Sequence, residues 1–172
     1  VSGGGSAQAA LPVPGVTLDE KRALTDALLR AGADIHELNA VRRRLSAFKG
    51  GKLARAALPA QVLGLVLSDV VGNDLPVIAS GPTVLETGAP GDAKAVLLKH
   101  GLWEDAPDAV KRVLEEGEAA PEDAPGAEDA GRVRNVIVGD NGAALGAAKK
   151  RAEKLGFRVF VLTAADHGEA RE

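Results

Sequence analysis

The chain has 172 residues, a formal net charge of −3 and no cysteine. These values give no indication of a nucleic-acid or anionic-membrane surface, and they exclude disulfide scaffolds and thiolate metal sites. No signal peptide is visible, and no apolar run reaches the roughly 20 residues of a membrane span. A cytoplasmic location is therefore expected, with Ala, Val, Leu and Ile forming a core of helices packed on a sheet.

Both ends of the chain have the character of internal segments. Val1 directly precedes a glycine-rich turn of the kind that follows a strand, and residues 168–172 resemble the first turn of a helix. We therefore expect residues 1–172 to be a single domain cut from a longer polypeptide, whose first strands lie outside this chain.

Three helices are predicted after the glycine-rich turn. Thr17 and Glu20 have the spacing of a capping box, and the helix that they begin should end at Gly32. A second helix should begin at residues 34–37 and run to about Lys49. A short third helix is predicted over residues 52–57.

The rest of the chain alternates between predicted strands and helices. Val62–Leu67 is a continuous apolar run, which predicts a strand buried on both faces. The further predictions are a short strand at 77–79, helices near 92–100 and 107–116, and an acidic loop over 115–131. They end with a strand at 133–138, a helix at 141–155 and a strand at 159–163. The last three should form a right-handed parallel crossover.

The first candidate binding element is the glycine turn, residues 2–6, which reads Ser2, Gly3, Gly4, Gly5 and Ser6. Three glycines let backbone N–H groups converge on an anion, and the two hydroxyls add donors. A flexible linker is the alternative interpretation. The turn is neither a Walker A loop nor a dinucleotide-binding fingerprint.

Asp69 follows the predicted strand at 62–67, where open α/β sheets bind ligands. Its carboxylate is suited to holding Mg²⁺ or accepting a hydroxyl proton, and an Asx turn is the alternative. Asp74 fits a turn or cap better. Hydroxyl and N–H donors follow at Ser80, Gly81 and Thr83, where an ordinary turn is the favoured alternative.

The second predicted helix carries a polar stripe of Asn39, Arg42, Ser46 and Lys49. Its two cations are suited to neutralising a phosphate or a carboxylate. A solvated helix face is the alternative, and spacing alone favours it.

Gly139, Asp140 and Asn141 join a predicted strand to a helix, whose N-terminal N–H groups would bind an anion. Simple N-capping by Asp140 or Asn141 is the alternative.

Together, the order and spacing of these segments resemble the glycerate 2-kinase family, the class II glycerate kinases, whose members often carry a MOFRL-type C-terminal domain. The resemblance covers nearly the whole chain. It rests on residues 2–7, 17–26, 37–42, 45–51, 67–72, 77–83, 139–141 and 168–172.

The resemblance implies a Rossmann-like, three-layer α/β/α fold with a mostly parallel sheet. It implies transfer of the γ-phosphoryl group of ATP to the 2-hydroxyl of D-glycerate, with Mg²⁺. The roles that follow are catalysis by Asp69, Lys49 and Arg42, with Asp69 also as the metal ligand. Phosphate or substrate would be bound by the glycine turn, Asn39, Ser46, Asp74, Ser80, Gly81 and Thr83, and nucleotide by residues 139–141.

The family also has an essential lysine and a Gly/Arg-rich segment that this chain does not contain. The isolated chain is therefore expected to be inactive without the C-terminal domain of its polypeptide. A homodimer is one possible assembly. The family usually has Asp where this chain has Asn73. The alternatives are an NAD(P)H-dependent hydroxypyruvate reductase, which the missing fingerprint disfavours, and a non-catalytic ligand-binding domain.

Overall fold

The computed structural model describes residues 1–2, 4–85, 92–116, 129 and 131–165, and these form an α/β fold. Its elements in chain order are α1 (Gly5–Gln8), α2 (Leu18–Arg30), α3 (Ile35–Arg44), α4 (Lys52–Ala57), β1 (Val62–Leu67), 3-10 turns at Val71–Asn73 and Ile78–Ser80, α5 (Ala93–Lys99), α6 (Asp108–Glu116), β2 (Val133–Gly139) and α7 (Asn141–Lys154). None of the described helices has both the length and the apolarity to cross a bilayer. The predicted acidic loop lies almost wholly outside these ranges, and residues 168–172 lie outside them.

Capping boxes begin α2 and α3. The first confirms the predicted Thr17–Glu20 box, and the second lies at the predicted start of α3. The Thr17 hydroxyl accepts from the Glu20 N–H at 3.1 Å, and the Glu20 carboxylate accepts from the Thr17 N–H at 2.7 Å. Asp34 and Glu37 make the same reciprocal pair at the start of α3. Each box satisfies N–H groups that have no partner within the helix, so these two helix starts are fixed locally.

The main apolar core lies between helices. Its buried residues come from α2, α3, α5, α6 and their connections: Val16, Leu24, Leu28, Leu38, Val41, Leu45, Ala93, Leu97, Ala106, Val110 and Leu114. The expectation of a core formed by helices packed on a sheet is therefore wrong for this cluster. The short aliphatic side chains instead fill the spaces between four helices.

An ionic cluster joins α3 to α5 at the edge of this core. The Glu37 carboxylate accepts from the Lys99 ammonium and contacts His100 Nε2 at 3.0 Å. The hydrogen bond from Lys99, followed by those from His100 and the Asp34 N–H, lowers the pKa of Glu37 to about 2. The capping residue of α3 therefore also positions α5.

β1 and β2 pair in parallel, from Val62 beside Val133 to Leu67 beside Gly139. This confirms the predicted fold class, an α/β arrangement with a parallel sheet. The prediction that β1 is buried on both faces is wrong, because Leu63, Leu65 and Leu67 are 52–62% exposed. Within the described ranges, the covering layers lie on the Gly64 and Val66 face.

Val1 pairs with the other edge of β1. Its amino group donates to the Leu65 carbonyl at 2.8 Å, and its carbonyl accepts from the Leu67 N–H at 2.8 Å. The N–H groups of Val62 and Ser68 point instead to the β2 side. Val1 thus continues the parallel pattern across β1, and the glycine turn begins at the carboxyl end of the strand.

Residues 77–79 and 159–163 do not form the predicted strands. Ile78–Ser80 is a 3-10 turn, and Ala79 and Ser80 have φ values of 52° and 60°, which a strand does not allow. Residues 159–163 make no ladder hydrogen bonds with the described strands. Of the predicted strand–helix–strand crossover, the structure therefore contains the first strand, β2, and the helix, α7.

α3 ends at Arg44, five residues before the predicted end at Lys49. The ammonium group of Lys52 donates to the carbonyls of Arg43 and Arg44 at 2.9 and 3.3 Å. These bonds satisfy carbonyl groups that a longer helix would have paired internally. Ser46 and Lys49 consequently lie in the loop between α3 and α4.

The helical core makes a stability prediction. Leu97→Ala removes a side chain with no exposed surface and should lower the free energy of unfolding by about 2–5 kcal/mol. The neighbouring Leu98→Ala, at a side chain that is 54% exposed, is the matched control and should change it by about 0.5 kcal/mol or less. Chemical denaturation measures both, and equal losses would contradict the assignment of this core.

Candidate functional site

A cavity of about 540 Å³ lies at the carboxyl end of β1 and β2. We call it the carboxylate cavity, and its lining comprises Ser2, Leu67, Ser68, Asp69, Asp140, Asn141 and Ala144. Parallel pairing brings the strand ends to one edge, and the Val1 contacts bring the glycine turn there too. Three segments that the sequence singles out separately, at 2–6, 69 and 139–141, therefore meet in one place.

The Asp69 carboxylate lines this cavity without a hydrogen bond to any other described residue. The Ser68 hydroxyl, and not the Asp69 side chain, closes the turn after β1 by accepting from the Val70 N–H at 3.2 Å. Asp69 is exposed, and its carboxylate makes no hydrogen bond within the described ranges. The Asx-turn alternative is not the observed geometry, and both oxygens remain accessible to a ligand.

Asp140 is the N-cap of α7, which was one of the two interpretations of its position. Its Oδ1 accepts from the Ala143 N–H and its Oδ2 from the Asn73 side-chain amide, both at 2.8 Å. The Ala143 bond, followed by the Asn73 bond, lowers the pKa of Asp140. The side chain is therefore held ionised and in a fixed orientation. The Asn73 contact crosses 67 residues and could not be found from the sequence.

The neighbours of Asp140 shape the cavity wall. Gly139 packs closely on Leu67, since a Cβ there would lie 2.7 Å from the Leu67 Cδ1 atom, at the end of a flexible and exposed side chain. Asn141 lines the cavity, and its side-chain amide donates to the Ala164 carbonyl at 2.9 Å. The strand–helix junction is thus built by close packing as well as by capping.

The donor set fits Mg²⁺ held jointly with phosphate. Asp69 and Asp140 both line the carboxylate cavity. Among the described residues there is no group of three or more His, Cys, Asp or Glu side chains that would hold a metal alone. Mg²⁺ commonly keeps several waters and binds one or two carboxylates together with substrate phosphates, which matches this set.

The glycine turn leads into α1, which begins at Gly5. Gly4 has φ of 77°, and a Cβ on Gly5 would lie 2.9 Å from the Ala79 Cβ atom. Small residues are thus needed where α1 packs on the 3-10 turn Ile78–Ser80. Gly3 lies outside the described residues.

Buried hydrogen bonds attach α1 to the fold. The Ser6 and Ser80 hydroxyls are 2.7 Å apart, and the Ser80 hydroxyl donates to the Asn39 Oδ1 atom at 2.9 Å. Ser80 has no exposed surface, and Asn39 is 3% exposed. Asn39 and Ser80 therefore hold the glycine turn in place from behind, and direct ligand contact by them stays a prediction.

Four further predicted site residues lie outside the linings of the cavities described here. The Ser46 hydroxyl donates to the Leu11 carbonyl, and the Thr83 hydroxyl donates to the Asn135 side chain at 2.6 Å. Gly81 is buried in a left-handed conformation, and Asp74 is exposed. None of these four residues lines the carboxylate cavity, and ligand contact by them stays a prediction.

Lys49 and Arg42 face a different cavity, of about 280 Å³, which we call the basic cavity. Its lining comprises Ser6, Ala7, Ala10, Leu18, Lys21, Arg22, Thr25, Asp26, Arg42 and Lys49. Lys49 has no exposed surface, and its ammonium donates to the Ser6 and Ala9 carbonyls at 2.8 and 3.0 Å. Burial, followed by repulsion from Lys21 and Arg42, lowers its pKa to about 8.

Lys21 is the residue that sequence reasoning missed. It is 6% exposed, and burial, followed by repulsion from Arg42, lowers its pKa. A signal was present, because Lys21 lies three and seven residues before the buried Leu24 and Leu28, in line with the apolar side of α2. A lysine at such a position must find polar partners inside the fold.

The known proteins that are similar to this chain carry related names. A family model described as "Domain of unknown function (DUF4147)" matches residues 1–115. A rat protein named glycerate kinase is 48% identical over 99% of this chain, and a Pyrococcus horikoshii protein named glycerate 2-kinase is 39% identical over all of it.

A solved structure extends the likeness to three dimensions. The crystal structure of glycerate kinase from Thermotoga maritima has a TM-score of 0.77 with this chain and 39% identity over 94% of it. The chain spans 32% and 39% of the lengths of the two relatives, and 37% of the crystallised chain. It therefore corresponds to about a third of each related protein.

The environment of Lys49 makes a titration prediction. In an NMR titration, the Lys49 side-chain resonance, assigned by its loss in Lys49→Arg, should have a midpoint at pH about 8. The unfolded chain keeps this proton up to the ordinary lysine pKa of about 10.4, so the Lys49 contribution to the free energy of unfolding should rise between these values. A midpoint near 10.4 would contradict the buried position of the ammonium group.

Proposed function

The chain belongs to the DUF4147 family, and from that premise we propose that its complete polypeptide transfers the γ-phosphoryl group of ATP to the 2-hydroxyl of D-glycerate in the cytoplasm. The observation that carries the proposal is the carboxylate cavity, where the glycine turn, Asp69 and the start of α7 meet. Relatives named glycerate kinase and glycerate 2-kinase support the choice of reaction.

Phosphoryl transfer depends mainly on alignment and charge stabilisation, and the cavity offers groups for both. Backbone N–H groups of the glycine turn would bind phosphate oxygens, with Ser2 at the cavity wall. The start of α7, with Asn141 as its first residue, would lie next to the nucleotide. When bound, Mg²⁺ would neutralise phosphate charge, with Asp69 as its main protein ligand and Asp140 beside it.

Asp69 is the best candidate for the residue that orients the acceptor hydroxyl of the substrate. Its carboxylate has no partner within the described ranges, and it stands at the mouth of the same cavity. It can orient the 2-hydroxyl of D-glycerate and accept its proton as the phosphoryl group arrives. Hydroxyl orientation and metal binding are alternative uses of one side chain, and each requires it to be ionised.

Asn73 supports Asp140 and leaves it charged. A neutral amide can donate to the Asp140 Oδ2 atom, as observed at 2.8 Å, whereas a carboxylate in its place would repel that oxygen. Asp74 is exposed and does not line the cavity, so it does not stand in for an acid at position 73. We propose that this chain uses Asp69 and Asp140 as its carboxylate pair.

The chain would supply one part of a larger active site. Since it spans about a third of its relatives, we propose that residues 1–172 form part of a nucleotide- and substrate-binding domain. A second domain of the same polypeptide would close the cleft. The isolated chain should then release no ADP in the presence of D-glycerate.

The two rival functions predict different reactants. A hydroxypyruvate reductase would consume NAD(P)H, and a binding domain would consume neither nucleotide. The glycine turn lacks the dinucleotide fingerprint, which disfavours the reductase. A coupled assay on the complete polypeptide, which follows ATP and NAD(P)H separately, distinguishes all three.

Removal of the Asp69 carboxylate tests its proposed role in phosphoryl transfer directly. In the complete polypeptide, Asp69→Ala should lower kcat for D-glycerate phosphorylation at least about 100-fold, the scale of one positioned catalytic group. Asp105→Ala, which removes an exposed carboxylate between α5 and α6, is the matched control and should retain activity. A near-normal kcat for Asp69→Ala would remove this residue from the mechanism.

A further inference from the structure

The basic cavity is separate from the carboxylate cavity, because the two share no lining residue. Four cationic side chains line it, and Asp26 is its one carboxylate among the described residues. Its lining therefore carries an excess of three positive charges, in a chain whose overall net charge is −3. Such a concentration of cations around one space calls for a counter-charge.

The two lysines of this cavity are bonded to neutral groups. Lys49 donates to the carbonyls of Ser6 and Ala9, and Lys21 donates to the Ala10 carbonyl at 3.4 Å. An ammonium group has three N–H donors, so each lysine has capacity beyond these bonds. Neither forms an ion pair with a carboxylate of the described ranges. Buried cations without a counter-charge are costly, and an incoming anion would offset that cost.

Arg42 adds a group with a marked preference for oxyanions. It is half-buried at the same cavity, and its guanidinium makes no hydrogen bond within the described part of the chain. Its planar N–H donors match the paired oxygens of a carboxylate or a phosphate. The cavity thus combines a guanidinium that makes no hydrogen bond to another described residue with two buried ammonium groups.

We propose that the basic cavity is a second anion site, in which Arg42 and Lys21 bind the oxyanion group of a small carboxylate or phosphate compound, and the buried Lys49 ammonium adds its positive charge without direct contact. Its volume of about 280 Å³ is below the usual range for drug-sized ligands, which favours a compound of a few carbons or free phosphate. The choice of D-glycerate as one probe rests on the proposed function, whereas the charge argument does not.

The site also has a physical link to the glycine turn. The carbonyls that bind the Lys49 ammonium belong to Ser6 and Ala9, which lie in α1 and directly after it, and Gly4 immediately precedes α1. An anion in the basic cavity would therefore attract an ammonium group that is bonded to the segment next to the carboxylate cavity.

Calorimetry on the complete polypeptide without nucleotide tests this site. Inorganic phosphate and D-glycerate are titrated separately at low, fixed ionic strength. Arg42→Gln and Lys21→Gln should each weaken binding of the preferred probe at least about tenfold, as expected for loss of a charge-assisted contact. Arg112→Gln, which removes an exposed positive charge on α6, is the matched control and should leave the affinity unchanged.

The two probes identify the source of the oxyanion. Only binding that weakens in Arg42→Gln reports this site, because the proposed function also places D-glycerate in the carboxylate cavity. Loss of phosphate binding alone in that variant assigns the site to phosphate groups, loss of D-glycerate binding alone assigns it to carboxylates, and loss of both assigns it to oxyanions of either kind. Binding of neither probe, or equal affinities in Arg42→Gln, Lys21→Gln and the wild type, overturns the proposal. Arg42→Lys keeps the charge and should lose less affinity than Arg42→Gln, which gives a second measurement if the latter is poorly folded.

Failure of this inference is distinguishable from failure of the proposed kinase. If ATP is consumed with D-glycerate while Arg42→Gln binds both probes normally, the second anion site is wrong and the kinase stands. If no ATP is consumed while Arg42→Gln loses phosphate binding, the anion site stands and the kinase is wrong.

Discussion

Parallel backbone pairing on both edges of β1 is the constraint on which the rest of the site depends. β2 occupies one edge and Val1 the other, so three chain segments end together at the carboxyl side of the strand. The glycine turn, Asp69 and the N-terminus of α7 follow directly from these three ends. Their convergence is a result of backbone hydrogen bonding, and the side chains add chemistry to a location that the ladder has already set.

The segment from Ser2 to α1 borders two chemically different cavities, since Ser2 lines the carboxylate cavity and Ser6 and Ala7 line the basic cavity. The Ser6 hydroxyl contacts the Ser80 hydroxyl, and the Lys49 ammonium binds the Ser6 carbonyl. The carboxylate cavity offers oxygens that suit a metal ion, and the basic cavity offers cations that suit an anion. This separation supports the proposed kinase, whose substrates would be a metal-bound triphosphate and a small acid.

The sequence predicted local features well because local interactions determine them. The Thr17–Glu20 capping box, the start of α3 and the bounds of α4 follow from residues a few positions apart. Two predictions were wrong: Lys52 binds the last carbonyls of α3, which ends before Lys49, and positive φ values at Ala79 and Ser80 prevent a strand at 77–79. The partition of Asp69 and Lys49 into separate cavities, and the Asn73–Asp140 bond, likewise depend on contacts between residues far apart in the chain.

In the proposed kinase, the carboxylate cavity receives the phosphates of a nucleotide. A crystal structure of the complete polypeptide with Mg²⁺ and a non-hydrolysable ATP analogue would reveal where they bind. The terminal phosphates should lie against the glycine turn, with the Mg²⁺ ion within coordination distance of the Asp69 carboxylate. A nucleotide bound elsewhere, with Asp69 and the glycine turn both facing solvent, would contradict it.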